Sequence, residues 1–241
     1  LDFNKEFINT FSEKIENGNI EFINQTLKDL HEADVANLIE NLNPNTRVKL
    51  IELESFNINP EIFIELNESI QGEVLQLLSI DSIIKIIKRL ESDNAIKILE
   101  NLEKDTKQDV LDKLPPKDKF LLEEGLSYPE DSAARIMQRE FTAVPSNWTV
   151  GQTIDYLRED KDLPEEFLEI FIVDNDFKPI GTVPSSRVLR TSRDLKMNSI
   201  MIEMPVLISA NMDQEEVGHT FENYNLVSAG VVNKDNKLVG M

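Results

Sequence analysis

Residues 66–113 read LNESIQGEVLQL, LSIDSIIKIIKR, LESDNAIKILEN and LEKDTKQDVLDK, four segments of twelve residues that each begin with leucine. The ninth and tenth positions of every segment are apolar, as in Val74-Leu75. The fourth position of every segment is polar and suits a helix N-cap, namely Ser69, Asp81, Asp93 and Asp105. Each segment is therefore predicted to be a short helix. A helix of about ten residues is marginal alone, so the helices must stack, which predicts a superhelical α-solenoid.

The same register extends on both sides of this stretch. Leucines continue it at positions 30, 42, 114 and 126, and Glu54 alone breaks it. We therefore expect residues 1–127 to form one helical domain. Up to Leu126 the chain carries 14 basic and 26 acidic residues, a net charge of -12.

The composition of the 241 residues excludes several functions. The formal net charge of -20 repels phosphate backbones, which argues against a nucleic-acid partner and favours cations. No cysteine is present, which excludes a disulfide framework and a thiol nucleophile. The sequence has only two histidines, and it contains neither a glycine-rich phosphate loop nor a Ser-His-Asp pattern. These features give little basis for catalysis, so an enzyme is not expected.

The second half of the chain has a different pattern and its own repeat. Residues 137–157 align with residues 201–221 at an offset of 64, so that Val144 matches Ile208 and Thr149 matches Asp213. Further on the offset is 59, because the first copy has five extra residues near positions 163–166. Short apolar runs and turn signals predict a strand, a helix, a strand, a turn and a strand in each copy.

The second half resembles a tandem of CBS domains through the hairpins that begin Ile172-Val173-Asp174 and Val231-Val232-Asn233 and end at Gly181 and Gly240. The resemblance implies two α/β copies packed as one regulatory module that commonly dimerises. The stretch YPEDSAARIM at residues 128–137 leads directly into the first strand of the first copy.

The whole order, with LHEADVANL at residues 30–38 before that stretch, looks like the cytosolic region of MgtE-type magnesium transporters. The resemblance implies an α+β multidomain fold, in which the α-solenoid (1–127) precedes a first CBS domain with its linker (128–196) and a second CBS domain (197–241). We expect the natural protein to complete the second CBS domain beyond Met241 and to continue into a membrane pore.

The resemblance also implies candidate ligands for Mg²⁺, which takes oxygen donors, keeps several waters and needs only one or two carboxylates. Asp213 and Glu215 match the acidic turn at the start of the second CBS helix. The spacing of Asp213 and Glu216 equally fits a capping box, so Asp213 is a ligand or a cap.

Two further candidates follow from the resemblance. Asp93 matches one acid of a pair in the family, and it equally fits a cap of the helix that starts there. Lys97 stands where a further acid is expected. Asn225 falls where the family often has a carboxylate, and its amide oxygen can still bind Mg²⁺.

The resemblance implies a magnesium-sensing regulatory region that acts at the cytoplasmic face of the cell membrane as a homodimer and closes its own pore domain when its acidic domains bind Mg²⁺. The alternatives are an adenosine-nucleotide sensor and an acidic protein-docking scaffold. The usual nucleotide pattern Gly-x-x-Thr-x-x-Asp is altered after Gly181, because Pro184 replaces the threonine and Arg187 the aspartate.

Overall fold

The computed structural model describes residues 3–53, 59–161, 163–164, 166–203 and 206–241. The first part of this described chain is helical throughout. Its helices are α1 (Lys5–Glu16), α2 (Ile20–Lys28), α3 (Glu32–Asn41), α4 (Pro44–Glu52), α5 (Pro60–Glu65), α6 (Glu68–Leu77), α7 (Ile80–Ile87), α8 (Ser92–Glu100), α9 (Lys104–Lys113) and α10 (Pro116–Ser127).

The twelve-residue register sets where these helices begin. From α6 to α10 every helix starts twelve residues after the one before it, and α2, α3 and α4 obey the same spacing. The prediction of one short helix for each segment is confirmed. The break expected at Glu54 lies outside the described residues.

The predicted N-caps were placed two residues too late. In the structure the cap is the residue after the register leucine, and its side chain accepts a hydrogen bond from a backbone amide of the first turn at Asn43, Asn67 and Ser79. Asp81 and Asp105 instead lie within the first turns of α7 and α9. There their carboxylates interact favourably with the positive end of the helix dipole, but they do not cap the helix.

The apolar pairs of the register form the interior of the helical part. Val74 and Leu75 are buried, and so are the equivalent pairs of α7, α8 and α9. Packing contacts join α3 to α5, α4 to α6 and α7 to α9, each helix to the next but one, while α1 packs with α2 and α4. This arrangement buries one face of helices that are too short to be stable alone.

Two buried polar side chains that are 24 residues apart in the sequence play the same structural role. Arg47 donates hydrogen bonds to the backbone carbonyls of Ile39 and Leu42 at 3.2 and 2.9 Å. Gln71 donates to the carbonyl of Phe63 at 3.0 Å. Both supply donors to carbonyl groups at helix C-terminal ends, where the Ile39 and Phe63 carbonyls also accept a bond of 3.3 Å from the C-cap amide.

The chain divides into two compact units. One comprises Leu1–Leu90 and Lys97–Phe120, and the other comprises Glu91–Ile96 and Leu121–Met241. The first turn of α8 therefore belongs to the second unit. The three domain ranges expected from the sequence stay a prediction.

After α10 the second unit contains two sheets with helices. Its elements are α11 (Ala133–Ile136), β1 (Ala143–Pro145), α12 (Val150–Glu159), β2 (Glu169–Val173), β3 (Pro179–Pro184), α13 (Ser185–Arg190), α14 (Met197–Ile200), β4 (Ile202–Glu203), β5 (Ile208–Ser209), α15 (Gln214–Tyr224), β6 (Val231–Val232) and β7 (Leu238–Gly240).

The two copies predicted from the repeat are confirmed in element order and register. The sheet orders are β1-β2-β3-β4 and β5-β6-β7. In both, the first pair is parallel and the second antiparallel. Val144 pairs with Ile172 and Ile208 pairs with Val231, so residues related by the two offsets occupy equivalent positions.

Each copy has its own apolar core. Val144, Ile170 and Ile172 lie in the first core, against which Trp148 packs. Ile208 and Val231 lie in the second, against which Met212 packs. Within the described residues, no helix is both long and apolar enough to cross a membrane.

Candidate functional site

The start of α8 departs from the capping pattern of α6 and α7. The register places a cap at position 91, which is glutamate, whereas α6 and α7 have asparagine and serine there. Glu140, 48 residues away in sequence, supplies the acceptor instead. Its Oε2 accepts hydrogen bonds from the backbone amide of Ser92 at 3.1 Å and from the Ser92 hydroxyl at 2.8 Å.

The segment just before β1 makes further hydrogen bonds to this turn. The backbone amide of Arg139 donates to Ser92 Oγ at 2.9 Å. The Gln138 side-chain amide donates to Glu91 Oε2. Three consecutive residues, 138–140, therefore bind the first turn of α8, and we call this set of bonds the α8 latch.

Asp93 lies beside the latch, within the first turn of α8. Its side chain is half-buried, and its Oδ1 atom is fully buried with no hydrogen-bond partner in the described part of the chain. Burial raises the pKa of Asp93, and the nearby Glu140 carboxylate raises it further, while the Asn94 backbone amide lowers it. The expectation that Asp93 caps this helix is wrong, because the capping acceptor comes from Glu140.

Several carboxylates crowd the same turn. The pKa of Glu91 is raised by burial, by Asp93, by Glu140 and by Glu166, and is lowered by the bond from Gln138. The positive end of the α8 dipole offsets part of this repulsion. The buried Oδ1 of Asp93 is a hard oxygen donor without a partner, so the donor set suits a Mg²⁺ ion with waters completing its shell.

A buried guanidinium lies close to these acids without satisfying them. Both terminal nitrogens of Arg139 are buried and lack hydrogen-bond partners among the described residues. Burial lowers the pKa of Arg139, and Glu124, Tyr128 and Glu140 raise it. Positive charge is thus available nearby, but it leaves the Asp93 oxygen unpartnered.

Asp213 and Glu215 lie together at the start of α15. Asp213 is the N-cap, and its Oδ1 accepts a hydrogen bond from the Glu215 backbone amide at 2.9 Å. Both residues are exposed. Capping engages one oxygen of Asp213, and the Glu215 side chain extends into solvent, where it can reach a cation.

Asn225 lies at the other end of the same helix. It is the C-cap of α15 in the left-handed conformation, with φ of 50°. The helix has 11 residues and both residues flank it, so Asn225 is roughly 18 Å from Asp213 at about 1.5 Å per residue. The structure therefore separates it from the acidic turn. In the described part of the chain, no three acidic or histidine side chains converge closely enough to hold a metal ion.

Lys97, expected to weaken the Asp93 site, lies one turn further along α8. Its ammonium is 4.0 Å from a carboxylate oxygen of Glu68, and both side chains are exposed. Lys97 therefore has an acidic neighbour other than Asp93.

Asn225 also lines a cavity of about 370 Å³ between the two α/β copies. Its walls are mainly apolar, and Glu169 and Glu203 are its charged lining residues among those described. Ser228 donates its hydroxyl to Glu169. Arg187, which replaces the usual aspartate, donates to the backbone carbonyl of Ile200 at 2.8 Å. Two carboxylates in the lining disfavour a phosphate.

Glu140 and Glu91 were missed by the sequence reasoning. Glutamate at the capping position of α8 is a poor N-cap, but α9 also has glutamate there, Glu103, without a side-chain cap bond, so the residue type alone does not predict that another group caps α8. Nothing in the sequence indicates that this group comes from position 140.

The fold and these residues define a class of protein in which a helical repeat domain precedes a CBS module. Residues 30–131 match the family described as the MgtE intracellular N domain. Residues 133–194 match the CBS domain family. The chain therefore joins a segment that matches the MgtE intracellular N domain to a following segment that matches a CBS domain.

Two curated relatives are similar to the chain over about half its length. The magnesium transporter MgtE of Bacillus subtilis (strain 168) is 25% identical over 116 residues, which are 48% of this chain and 26% of that protein. The magnesium transporter MgtE of Thermus thermophilus is 27% identical over 128 residues, 53% of this chain and 28% of that protein. The matched part thus spans about a quarter of these relatives.

Two solved structures share the fold over nearly the whole chain. The soluble part of a magnesium transporter matches with a TM-score of 0.79 and 21% identity, covering 98% of this chain and 93% of that one. The cytosolic domain of the Mg²⁺ channel MgtE in complex with ATP matches with a TM-score of 0.84 and 24% identity, covering 97% and 95%.

Proposed function

We propose that this chain is the magnesium-sensing regulatory region of a magnesium transporter or channel. The observation that carries the proposal is the union of an MgtE N domain with a CBS domain in a chain of net charge -20. The buried, unpartnered oxygen of Asp93 supports it, because a bound cation would satisfy such an oxygen. The role is regulatory and not catalytic.

The proposed mechanism is electrostatic repulsion between the acidic domains of the chain, which bound Mg²⁺ reduces. Two like charges about 4 Å apart cost roughly 1 to 4 kcal/mol between bulk water and a protein surface. Mg²⁺ bound at Asp93, and at the exposed pair Asp213 and Glu215, cancels part of this repulsion. Asn225 contributes only a neutral oxygen. An ion that binds the compact state better shifts the population toward it, and loss of the ion reverses the shift.

The compact state closes a pore in the same protein. On this proposal the chain acts at the cytoplasmic face of the cell membrane, joined to a transmembrane domain, and dimerises through its CBS domains. The named relatives are magnesium transporters, which supports this assignment.

Small-angle X-ray scattering during a millimolar Mg²⁺ titration tests the proposal. The control is sodium chloride at matched ionic strength, because salt alone screens charge repulsion. We expect the radius of gyration to fall with Mg²⁺ and to change less with sodium. Equal curves for the two salts would refute magnesium sensing by this chain.

An adenosine-nucleotide sensor is the second candidate. The cavity of about 370 Å³ between the α/β copies and the relative solved with ATP favour it. Glu169 and Glu203 in the lining oppose it by repelling phosphates. Calorimetric titration with AMP and ATP discriminates the two, and micromolar binding without any response to Mg²⁺ would favour the nucleotide.

A further inference from the structure

We propose that helix α13 forms a surface that binds the phosphate headgroups of an anionic phospholipid bilayer. Arg187 and Arg190 hold a headgroup phosphate, and Leu189 enters the boundary between the headgroups and the acyl chains. The proposal rests on the magnesium-sensing function only for the presence of a bilayer beside the chain. It goes beyond that function, because it names the face of the first α/β copy that the bilayer contacts.

The local charge of this segment is opposite to that of the chain. Residues 185–196 read SSRVLRTSRDLK, with four basic residues and one acidic residue, whereas the whole chain has a net charge of -20. Exposed charges that are more than about 10 Å apart are largely screened at 0.1 M salt, so a nearby surface responds to the local charge more than to the total. Anionic headgroups therefore meet a positive patch here, although the chain as a whole is acidic.

Two of these basic residues keep their charge without a carboxylate partner. Arg187 and Arg190 are exposed and form no ion pair with a described residue, whereas Arg193 pairs with Asp155 at 2.7 Å. One terminal nitrogen of Arg187 donates to the Ile200 backbone carbonyl at 2.8 Å, which fixes the guanidinium without neutralising it. Its other N–H groups stay available, and a guanidinium binds phosphate through two parallel hydrogen bonds.

The two arginines line one small cavity. It has a volume of about 260 Å³, and its lining consists of Pro184, Ser186, Arg187, Arg190 and Thr191, with no acidic residue among those described. The Ser186 hydroxyl makes no hydrogen bond with a described residue, so it can donate to the same phosphate. The volume is below the range of about 300 to 1,000 Å³ that is usual for drug-sized ligands. It therefore suits one phosphate group better than a whole nucleotide.

An exposed leucine lies on the same helix. The Leu189 side chain is 78% exposed, whereas the preceding Val188 is 1% exposed and packs in the core of the first copy. At about 100° per residue, Arg190 lies opposite Val188, and Leu189 and Arg187 lie on the two flanks. A soluble phosphate offers no partner to an exposed leucine. A helix at a bilayer surface, in contrast, combines basic residues with apolar side chains that enter the interface, so Leu189 favours a lipid.

The expected contact is weak for the free chain and sufficient for a tethered one. One basic residue near an anionic bilayer strengthens binding by about fivefold, so two strengthen it by about 25-fold. A domain that is joined to a membrane-spanning segment already has a high effective concentration at the bilayer. A weak contact is then enough to orient it.

Vesicle sedimentation without Mg²⁺ tests the proposal on the 241-residue chain. The vesicles contain either phosphatidylcholine alone or equal parts of phosphatidylcholine and phosphatidylglycerol, and binding is measured at low ionic strength, where surface charges act most strongly. The variants are Arg187→Gln/Arg190→Gln and Leu189→Ser. Lys234→Gln/Lys237→Gln is the matched control, because it removes the same charge at two exposed positions of the second copy.

We expect the chain to bind the anionic vesicles and not the neutral ones, with binding that falls as salt is added. The arginine double variant should lose about 25-fold in the partition coefficient, and Leu189→Ser about threefold or more. The lysine control should change little. All the substituted side chains are exposed, so each variant should fold, which circular dichroism checks.

Four results would overturn the proposal. Two are equal binding to both kinds of vesicle and equal losses in the arginine variant and the lysine control. A third is calorimetric binding of inorganic phosphate or ATP that requires the arginines while vesicle binding does not, which assigns them to a soluble phosphate. The fourth is a dimer of the chain that Leu189→Ser dissociates with vesicle binding unchanged, because a second copy then covers this face.

The vesicle experiment and the scattering titration fail independently. Absence of vesicle binding by wild type overturns the lipid surface and leaves magnesium sensing standing, because the titration contains no lipid. Absence of a response to Mg²⁺ overturns magnesium sensing and leaves vesicle binding standing, because the vesicles are tested without Mg²⁺.

Discussion

Replacing Arg47 by methionine should destabilise the helical unit far more than breaking its ion pair. Arg47 is 4% exposed and pairs with Glu73, which is 47% exposed. Its guanidinium also donates to the carbonyls of Ile39, Glu40 and Leu42, and the bonds to Ile39 and Leu42 are buried. Arg47→Met leaves the Leu42 carbonyl without a donor, whereas the Ile39 carbonyl keeps a bond of 3.3 Å from the Leu42 backbone amide.

The magnitude follows from the Leu42 carbonyl and from the lost second bond to Ile39. A buried unsatisfied acceptor costs roughly 1 to 3 kcal/mol and an ordinary hydrogen bond about 1 kcal/mol, so the two losses cost about 2 to 4 kcal/mol. Methionine fills much of the volume and removes a buried charge, which favours the lower part of that range. Glu73→Gln removes only an ion pair with one exposed partner, for which about 1 kcal/mol or less is expected.

Urea unfolding followed by far-ultraviolet circular dichroism measures both changes. We expect the midpoint for Arg47→Met to fall several times further than that for Glu73→Gln, with similar slopes. Equal or reversed losses would refute the reasoning, because the salt bridge and not the helix carbonyls would then account for the role of Arg47.

Three further outcomes are expected. Phe177 has φ of 65°, so Phe177→Gly should stabilise the hairpin by up to about 1 kcal/mol, measured as a rise in Tm. At Gly125 an added Cβ would lie 2.2 Å from Ile96 Cδ1, so Gly125→Ala should cost about 1 to 3 kcal/mol in urea, and Ile96→Val should recover part of it. The pKa of Asp93 is raised above its ordinary 3.8, so the charged form destabilises the fold as pH rises through that raised pKa. Asp93→Asn should therefore match wild type near pH 3.8 and exceed it in Tm at pH 7 without Mg²⁺, and a constant difference across pH would contradict this.

The repetitive part of the fold was predictable because its determinants are local. Leucine spacing and paired apolar residues define one helix for each twelve residues, and this prediction is confirmed by helices that start twelve residues apart. The caps were misplaced because Ser69 and Asp81 satisfy the same composition rule as Asn67 and Ser79, and only the helix starts distinguish them. The exact residue at which a helix begins depends on the hydrogen bonds of its terminal turn, which the residue types alone do not determine.

The candidate site was less predictable. The sequence reasoning identified Asp93, but not Glu140, which bonds the adjacent Ser92 from 48 residues away in the sequence. Asn225 carries an oxygen that can bind an ion, yet it lies at the far end of α15 from Asp213. Mg²⁺ needs few protein ligands, so its sites leave no fixed spacing along a chain.

The sequence by itself determined the acidic charge, the stacked short helices, the two α/β copies and the resemblance to MgtE-type proteins. Each of these depends on composition or on contacts within one repeat, where periodicity is a sufficient guide. Tertiary structure alone decided that Glu140 caps α8, that Asp93 Oδ1 is buried without a partner and that Arg47 closes α3. Those features depend on which groups, far apart in the sequence, are buried next to one another. The burial of a polar atom is a property of the packed chain.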